Sequence, residues 1–229
     1  VYRAYVDFLG KDVHAISSVS EIPFLPISFF KTKEIKTGTF NSQTIFTSSS
    51  TSGMGESNHH LENIQHYDTT WLKTFNDVYD EVKNYCILAL LPSYLEREGS
   101  SLIHMVQGMI DSSSDDDSKF YLHNHDELQE VLKRKVTAGT KTILIGVSFA
   151  LLDFVEKYQL PPNEIIVMET GGMKGRRKEL IRDELHAILK KGFNVKSIHS
   201  EYGMTELLSQ AYSKGNGIFN TPPWMKILI

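Results

Sequence analysis

The chain has 229 residues, of which 41% are hydrophobic and 23% are charged, and its formal net charge at pH 7 is −4. A chain of this length and composition can bury a sizeable core, either in one large domain or in two closely joined lobes. Its slightly acidic balance gives no general attraction to nucleic acid or to an anionic membrane surface, so partners must be inferred from individual sites.

No window of the sequence approaches the roughly 20 apolar residues of a membrane span. No signal-peptide pattern opens the chain, and we therefore expect a cytoplasmic protein without a membrane span. The single cysteine, Cys86, lies in an apolar run, which favours a buried and unreactive thiol.

A run rich in hydroxyl groups and glycine occupies positions 46–55. Residues of this kind can wrap a phosphate chain with side-chain and backbone donors, although such runs are also typical of solvated loops. The candidate phosphate-binding residues are Ser48, Ser49, Ser50, Thr51, Ser52 and Gly53. Apolar residues then recur at three- and four-residue steps from His59 to Asn84, which predicts a helix directly after the run. Such a helix would add backbone amides and its dipole to an anion site.

Strand and helix patterns alternate through the rest of the chain. The predicted strands are Cys86–Leu91, Lys119–Leu122, Lys141–Val147, Glu164–Met168, Asn194–His199 and Trp224–Ile229, and the predicted helices are Ser100–Ile110, Asp126–Ala138, Phe149–Tyr158 and Arg176–Lys191. This alternation predicts an α/β fold with a layered, mainly parallel sheet flanked by helices. Ligands bind beyond the carboxyl ends of such strands, so we expect Glu169–Lys174 and Ser200–Glu206 to meet at one edge.

The segment Glu201–Glu206 offers an aromatic ring, a hydroxyl and a carboxylate close together in sequence. With the hydroxyl-rich run, it indicates a nucleotide site. It is equally typical of a strand end, a turn glycine and a helix start with Thr205 as N-cap. Both interpretations are compatible, because a helix N-terminus with a hydroxyl also suits an anion.

Together these segments resemble two motifs of adenylate-forming enzymes. Ser48–Gly53 is similar to their phosphate-binding loop, and Tyr202–Glu206 is similar to their Tyr-Gly-x-Thr-Glu motif. Within that superfamily, Ile22–Lys31, Met168–Arg177 and Pro222–Lys226 resemble the acyl-protein synthetases of bacterial bioluminescence, which are long-chain fatty acid ligases. Phenylacetate-CoA ligases are more distant relatives. The resemblance covers most of the chain.

The resemblance implies that ATP and Mg²⁺ are used to activate a carboxylic acid, in particular a fatty acid, as an acyl-adenylate. Acyl transfer to a thiol would follow, either to CoA or to a cysteine of an acyl-accepting protein such as an acyl-CoA reductase-like partner. It also implies that residues 1–229 are an incomplete N-terminal AMP-binding domain, with the small C-terminal domain lying beyond the chain. No nucleic-acid partner is expected.

The resemblance also implies residue roles. Thr205 would donate to the α-phosphate and Glu206 would ligate Mg²⁺, which makes these two residues the catalytic candidates. The adenine-binding candidates are Gly171, Gly172, Met173, Glu201, Tyr202 and Gly203. Ser148 and Phe149 would lie near the acyl pocket, although a buried apolar helix face has the same composition. The lysine that follows the loop in many relatives is absent here, so phosphate binding would rest on hydroxyls, backbone amides and a metal.

Two other functions fit the sequence. Gly146–Ala150 nearly matches the Gly-x-Ser-x-Gly nucleophile elbow, which would make Ser148 the nucleophile of a serine acyl hydrolase such as a thioesterase. The possible partners of Ser148 are Asp153, Asp183, His186 and His199, and the final glycine of the motif is missing. The other alternative is a non-catalytic adenylate-binding module that delivers acyl groups to a partner.

Overall fold

The computed structural model describes residues 1–48, 55–92, 99–173 and 175–228. Its helices and strands are named in chain order. The helices are α1 (Tyr2–Phe8), α2 (Phe29–Thr32), α3 (Gln65–Val78), α4 (Ser101–Ser112), α5 (His125–Ala138), α6 (Ser148–Lys157) and α7 (Arg182–Phe193), with short 3₁₀ turns at Val13–Ala15, Val19–Glu21 and Val82–Asn84. The strands are β1 (Thr44–Thr47), β2 (Asn58–Leu61), β3 (Cys86–Leu90), β4 (Lys119–Phe120), β5 (Thr142–Val147), β6 (Ile166–Thr170), β7 (Ile198–Tyr202) and β8 (Ala211–Ser213).

The principal sheet has six strands in the order β4-β3-β5-β6-β7-β8. Neighbouring strands from β4 to β7 are parallel, and β8 pairs with β7 in the antiparallel direction. The predicted α/β fold with a mainly parallel sheet flanked by helices is therefore confirmed. The strands β1 and β2 form a separate antiparallel pair.

The core surrounds the two central strands. Every residue of β3 and β5 is buried, as expected for parallel strands that are covered on both faces. Cys86, the first residue of β3, is among them, and burial raises the pKa of its thiol to about 12, so the thiol stays protonated at neutral pH. No helix among the described residues is long and apolar enough to cross a membrane.

The predicted helix over His59–Asn84 is too long at both ends, because α3 covers only Gln65–Val78. Residues 58–61 form β2, and α3 begins only at Gln65, whose N–H donates to the side chain of Asn63. Leu61 is buried within a strand and not on a helix face. The hydroxyl-rich run therefore precedes a strand, and the helix expected at that point does not follow it directly.

The two strands nearest the predicted site continue further than the sequence indicated. β6 extends to Thr170 and β7 extends to Tyr202, so residues expected in loops after the strands belong to the sheet itself. The helix predicted from Arg176 begins at Arg182.

Two further expectations are wrong. No helix follows Thr205, because residues 203–210 have turn and irregular backbone, and residues 224–228 are not a strand.

Candidate functional site

A cavity of about 230 Å³ lies at the carboxyl ends of β6 and β7. Its described wall consists of Thr47, Ser48, Tyr67, Ser100, Ser101, Leu102, Thr170, Gly171, Glu201, Gly203, Met204, Thr205, Glu206 and Gln210. The expectation that the segments after β6 and β7 meet at one edge of the sheet is confirmed. The wall also includes the end of β1, which belongs to the hydroxyl-rich run, and the start of α4, which was not expected there.

Ser48 brings the hydroxyl-rich run to this cavity. Its Oγ accepts a hydrogen bond from the Ser57 N–H at 2.9 Å, and its own N–H donates to the Ser57 carbonyl at 3.1 Å. Among the described residues, no acceptor takes the Ser48 hydroxyl proton. The other candidates of the run, Ser49, Ser50, Thr51, Ser52 and Gly53, lie outside the described residues.

The helix N-terminus at the cavity belongs to α4. Ser100 is its N-cap, and the Ser100 hydroxyl accepts from the Ile103 N–H at 3.3 Å. The N–H groups of Ser101 and Leu102, which also line the cavity, belong to the first turn and so have no partner within the helix. This end of the helix is therefore suited to an anion. In the sequence, the start of this helix is indicated by a serine just before a segment with periodic apolar residues.

A buried carboxyl group forms another part of the wall. Thr170 Oγ1 donates to Glu201 Oε2 at 2.6 Å, because each residue directly follows a member of the Glu169–Ser200 pair that joins these neighbouring parallel strands. Burial raises the pKa of Glu201 to about 7, the hydrogen bond from Thr170 opposes this rise, and the charge of Glu169 adds to it. Gly203 leaves room for the carboxyl group, since a Cβ at that position would lie 2.6 Å from Glu201 Oε1.

A chain of hydrogen bonds joins three further parts of the wall. Gln210 Nε2 donates to the Tyr67 hydroxyl at 3.0 Å, and Tyr67 donates to the Ser101 carbonyl at 3.1 Å. Tyr67 and Gln210 are each 2% exposed. Burial raises the pKa of Tyr67, and the negative charge of Glu201 raises it further, so the phenol remains protonated. Nothing in the sequence pattern linked these residues, because α3 and the segment before β8 meet only in the folded chain.

Thr205 and Glu206 are half-buried and line the cavity. A hydrogen bond from β2 holds Thr205 in place. His59 Nδ1 donates to the Thr205 carbonyl at 2.9 Å, and burial lowers the pKa of His59, which keeps the ring neutral. Among the described residues, no group of three His, Cys, Asp or Glu side chains could hold a metal ion. A cation at Glu206 would therefore need ligand oxygens and water, which is the usual situation for Mg²⁺.

The adenine-binding candidates are divided between two regions. Gly171, Glu201 and Gly203 line the cavity, whereas the described wall does not include Gly172, Met173 or Tyr202. Successive side chains of a strand point to opposite faces, so Tyr202 lies on the other side of β7 from the buried Glu201. The Tyr202 hydroxyl donates to Met204 Sδ at 3.1 Å, and its ring packs edge-on against Phe219 with centroids 6.2 Å apart. Met173 is buried, and Gly172 is exposed.

Ser148 and Phe149 lie behind this wall at the start of α6, and both are buried. The Ser148 hydroxyl lies within hydrogen-bond distance of the Gly171 carbonyl at 3.4 Å and of Glu169 Oε2 at 3.5 Å. A hydrolytic triad needs a histidine beside the serine, but here Glu169 lies between Ser148 and His186. The strand-to-helix position of a nucleophile elbow is present, but no histidine of the described residues hydrogen-bonds to Ser148.

Comparisons with known proteins found structural matches but no match by sequence. No protein-family model and no curated protein matches the sequence. Among solved structures, coronafacic acid ligase from Pectobacterium brasiliense matches with a TM-score of 0.39 and 15% identity, covering 69% of this chain and 29% of that one. A mutant form of the same ligase matches with a TM-score of 0.35 and 16% identity, covering 57% of this chain and 24% of that one. The chain thus spans less than a third of the length of those structures. Matches at these TM-scores support no conclusion about activity.

Proposed function

We propose that this chain uses ATP and Mg²⁺ to activate a carboxylic acid as an acyl-adenylate. The observation that supports this most directly is the convergence of Ser48, Thr205 and Glu206 on one cavity, although they lie far apart in the sequence. The start of α4 adds backbone N–H donors to the same wall. Hydroxyl groups, backbone amides and one carboxylate form a combination suited to a phosphate chain with its metal ion.

The chemistry requires control of negative charge. In the proposed reaction, an oxygen of the substrate carboxylate attacks the α-phosphorus of ATP, and the bond from that phosphorus to the pyrophosphate oxygen breaks. Ser48 and Thr205 would donate hydrogen bonds to the α-phosphate, where charge must be stabilised. Glu206 would hold Mg²⁺, which neutralises phosphate charge when it is bound. The role of the cavity is to bring the two anionic reactants together in a fixed orientation.

The finer parts of the proposal rest on the sequence resemblance. The acid would be a fatty acid, and a thiol of CoA or of a partner protein would accept the acyl group, as in the acyl-protein synthetases. The adenine ring would stack on Tyr202. Phe149 would lie toward the acyl group.

Acid-dependent exchange of labelled pyrophosphate into ATP tests this proposal. Exchange that requires a carboxylic acid and falls at least about 100-fold in Glu206→Gln would support it, because an electrostatic contact to a reacting phosphate contributes on that order. Glu184→Gln, an exposed change on α7, is the matched control and should leave exchange unchanged. Absence of exchange together with an ester hydrolase activity that Ser148→Ala abolishes would contradict the proposal. Nucleotide binding without exchange would instead support the non-catalytic module.

A further inference from the structure

The hydrogen bonds of the cavity wall leave acceptors unused around Glu201. Thr170 donates to Glu201 Oε2 at 2.6 Å, which uses the hydroxyl proton of Thr170. Glu201 Oε1 has no donor among the described residues. A Cβ added at Gly203 would lie 2.6 Å from this oxygen, and Glu201, which is 8% exposed, lines the cavity.

The neighbouring side chains of Gln210 and Tyr67 also leave a hydrogen-bond acceptor without a donor. One N–H of the Gln210 amide donates to the Tyr67 hydroxyl, and the Tyr67 hydroxyl donates to the Ser101 carbonyl. Gln210 Oε1 is buried, and it has no hydrogen-bond partner in the described part of the chain. Two acceptors, Glu201 Oε1 and Gln210 Oε1, therefore have no donor among the described residues.

We infer that the acid received by this cavity carries a hydroxyl or amino group, which donates a hydrogen bond to the Glu201 carboxyl group. This inference rests on the proposed function and specifies its substrate class. A plain alkyl chain at the same place would remove water from Glu201 without replacing the lost hydrogen bond, which is costly for a buried polar group. Sites built in this way discriminate strongly against analogues that lack the donor.

The amino group of adenine is another possible donor to Glu201. The position of Tyr202 argues against it, because Tyr202 is the aromatic residue of the segment and lies on the opposite side of β7. A base stacked on Tyr202 would be separated from Glu201 by the strand itself.

Calorimetric binding of three matched probes tests the inference. Glycyl, glycolyl and propionyl sulfamoyl-adenosine differ only in bearing an amino, a hydroxyl or a methyl group at the end of the acyl chain, and longer chains of matched length complete the series. We expect the amino and hydroxyl probes to bind at least about tenfold more tightly than the methyl probe of the same length. In Glu201→Gln the preference for the amino probe should disappear, whereas Glu184→Gln on α7 should retain it.

The preference is a ratio measured within one variant, so a change in the amount of folded protein does not alter it. Equal affinity for all three probes in the wild-type chain would overturn the inference and leave the proposed function standing. Loss of the Glu201-dependent affinity when purine riboside replaces adenosine in the probe would overturn it in favour of the adenine amino group. Failure of every probe and of ATP to bind would overturn the proposed function and this inference together.

Discussion

Burial of the Glu201 carboxyl group makes stability depend on pH. Burial raises its pKa from an ordinary value of 4.5 to about 7, so the folded chain holds this proton more tightly than the unfolded chain does. Between these two pH values the folded state carries more protons, and the free energy of unfolding must fall as pH rises. At about 1.4 kcal/mol per pKa unit, the loss is on the order of 3 kcal/mol.

Urea unfolding from pH 4.5 to about pH 8 measures this effect when the wild type is compared with Glu201→Gln. The glutamine does not titrate, so the wild type should lose stability relative to the variant through this window and reach a constant difference above it. Parallel pH profiles for the two proteins would show that the Glu201 carboxyl group has an ordinary pKa.

Gly203 should be required for the position of the Glu201 carboxyl group. A Cβ added at Gly203 would lie 2.6 Å from Glu201 Oε1, whereas one added at Gly172 would meet no atom within 4 Å. We expect Gly203→Ala to lower the free energy of unfolding by about 1–3 kcal/mol, because overpacking displaces a buried, hydrogen-bonded group. Gly172→Ala is the matched control and should change it by less than about 0.5 kcal/mol. Equal unfolding midpoints for the two variants would contradict this account of Gly203.

At the scale of the element, the start of α4 links stability to ligand binding. Ser100→Ala removes the N-cap hydrogen bond to Ile103 and should cost about 1 kcal/mol of stability. It should also weaken binding of an acyl sulfamoyl-adenosine, since it frays the turn that lines the cavity. Ser112→Ala is the same substitution at the other end of the helix, where the hydroxyl only donates to the Gly108 carbonyl. This control should neither lower the stability nor weaken ligand binding. Thermal unfolding with and without the ligand measures both effects.

The sequence located the buried elements well, because their periodicity reflects the core. The strands β3 and β5 and the helix α5 lie within a few residues of their predicted bounds. The ends of β6 and β7 were missed because polar residues continue these strands. Glu169, Thr170 and Glu201 look like loop residues in the sequence, yet in the fold they lie on neighbouring strands and Thr170 donates a hydrogen bond to Glu201.

The candidate site was predictable only where it consists of local motifs. Ser48, Thr205 and Glu206 could be identified because they lie in short motifs whose residue types indicate a phosphate or metal site. Tyr67, Gln210 and the start of α4 were not, because they reach the cavity through tertiary packing that leaves no pattern of fixed spacing. The pairing of His59 with the Thr205 carbonyl is of the same kind, since its partners lie on separate elements.

At the scale of the whole molecule, the parallel sheet brings the site together. The carboxyl ends of β6 and β7 supply Thr170 and Glu201, and α4 follows β3 in the chain, so its first turn reaches the same edge. The β1–β2 pair closes the cavity from outside the sheet through Ser48 and His59. In the proposed function, the cavity enclosed in this way binds the phosphate of an adenylate.

Stabilisation by a non-hydrolysable acyl sulfamoyl-adenosine tests that claim most directly. The ligand at 100 times its dissociation constant should raise the free energy of unfolding of the wild type by about 2.7 kcal/mol. At the same ligand concentration, Thr205→Val should lose most of this gain. Thr137→Val, an exposed change on α5, is the matched control and should keep it. An equal gain in both variants, or no gain in the wild type at saturating ligand, would contradict the claim that the cavity beside Thr205 is an adenylate site.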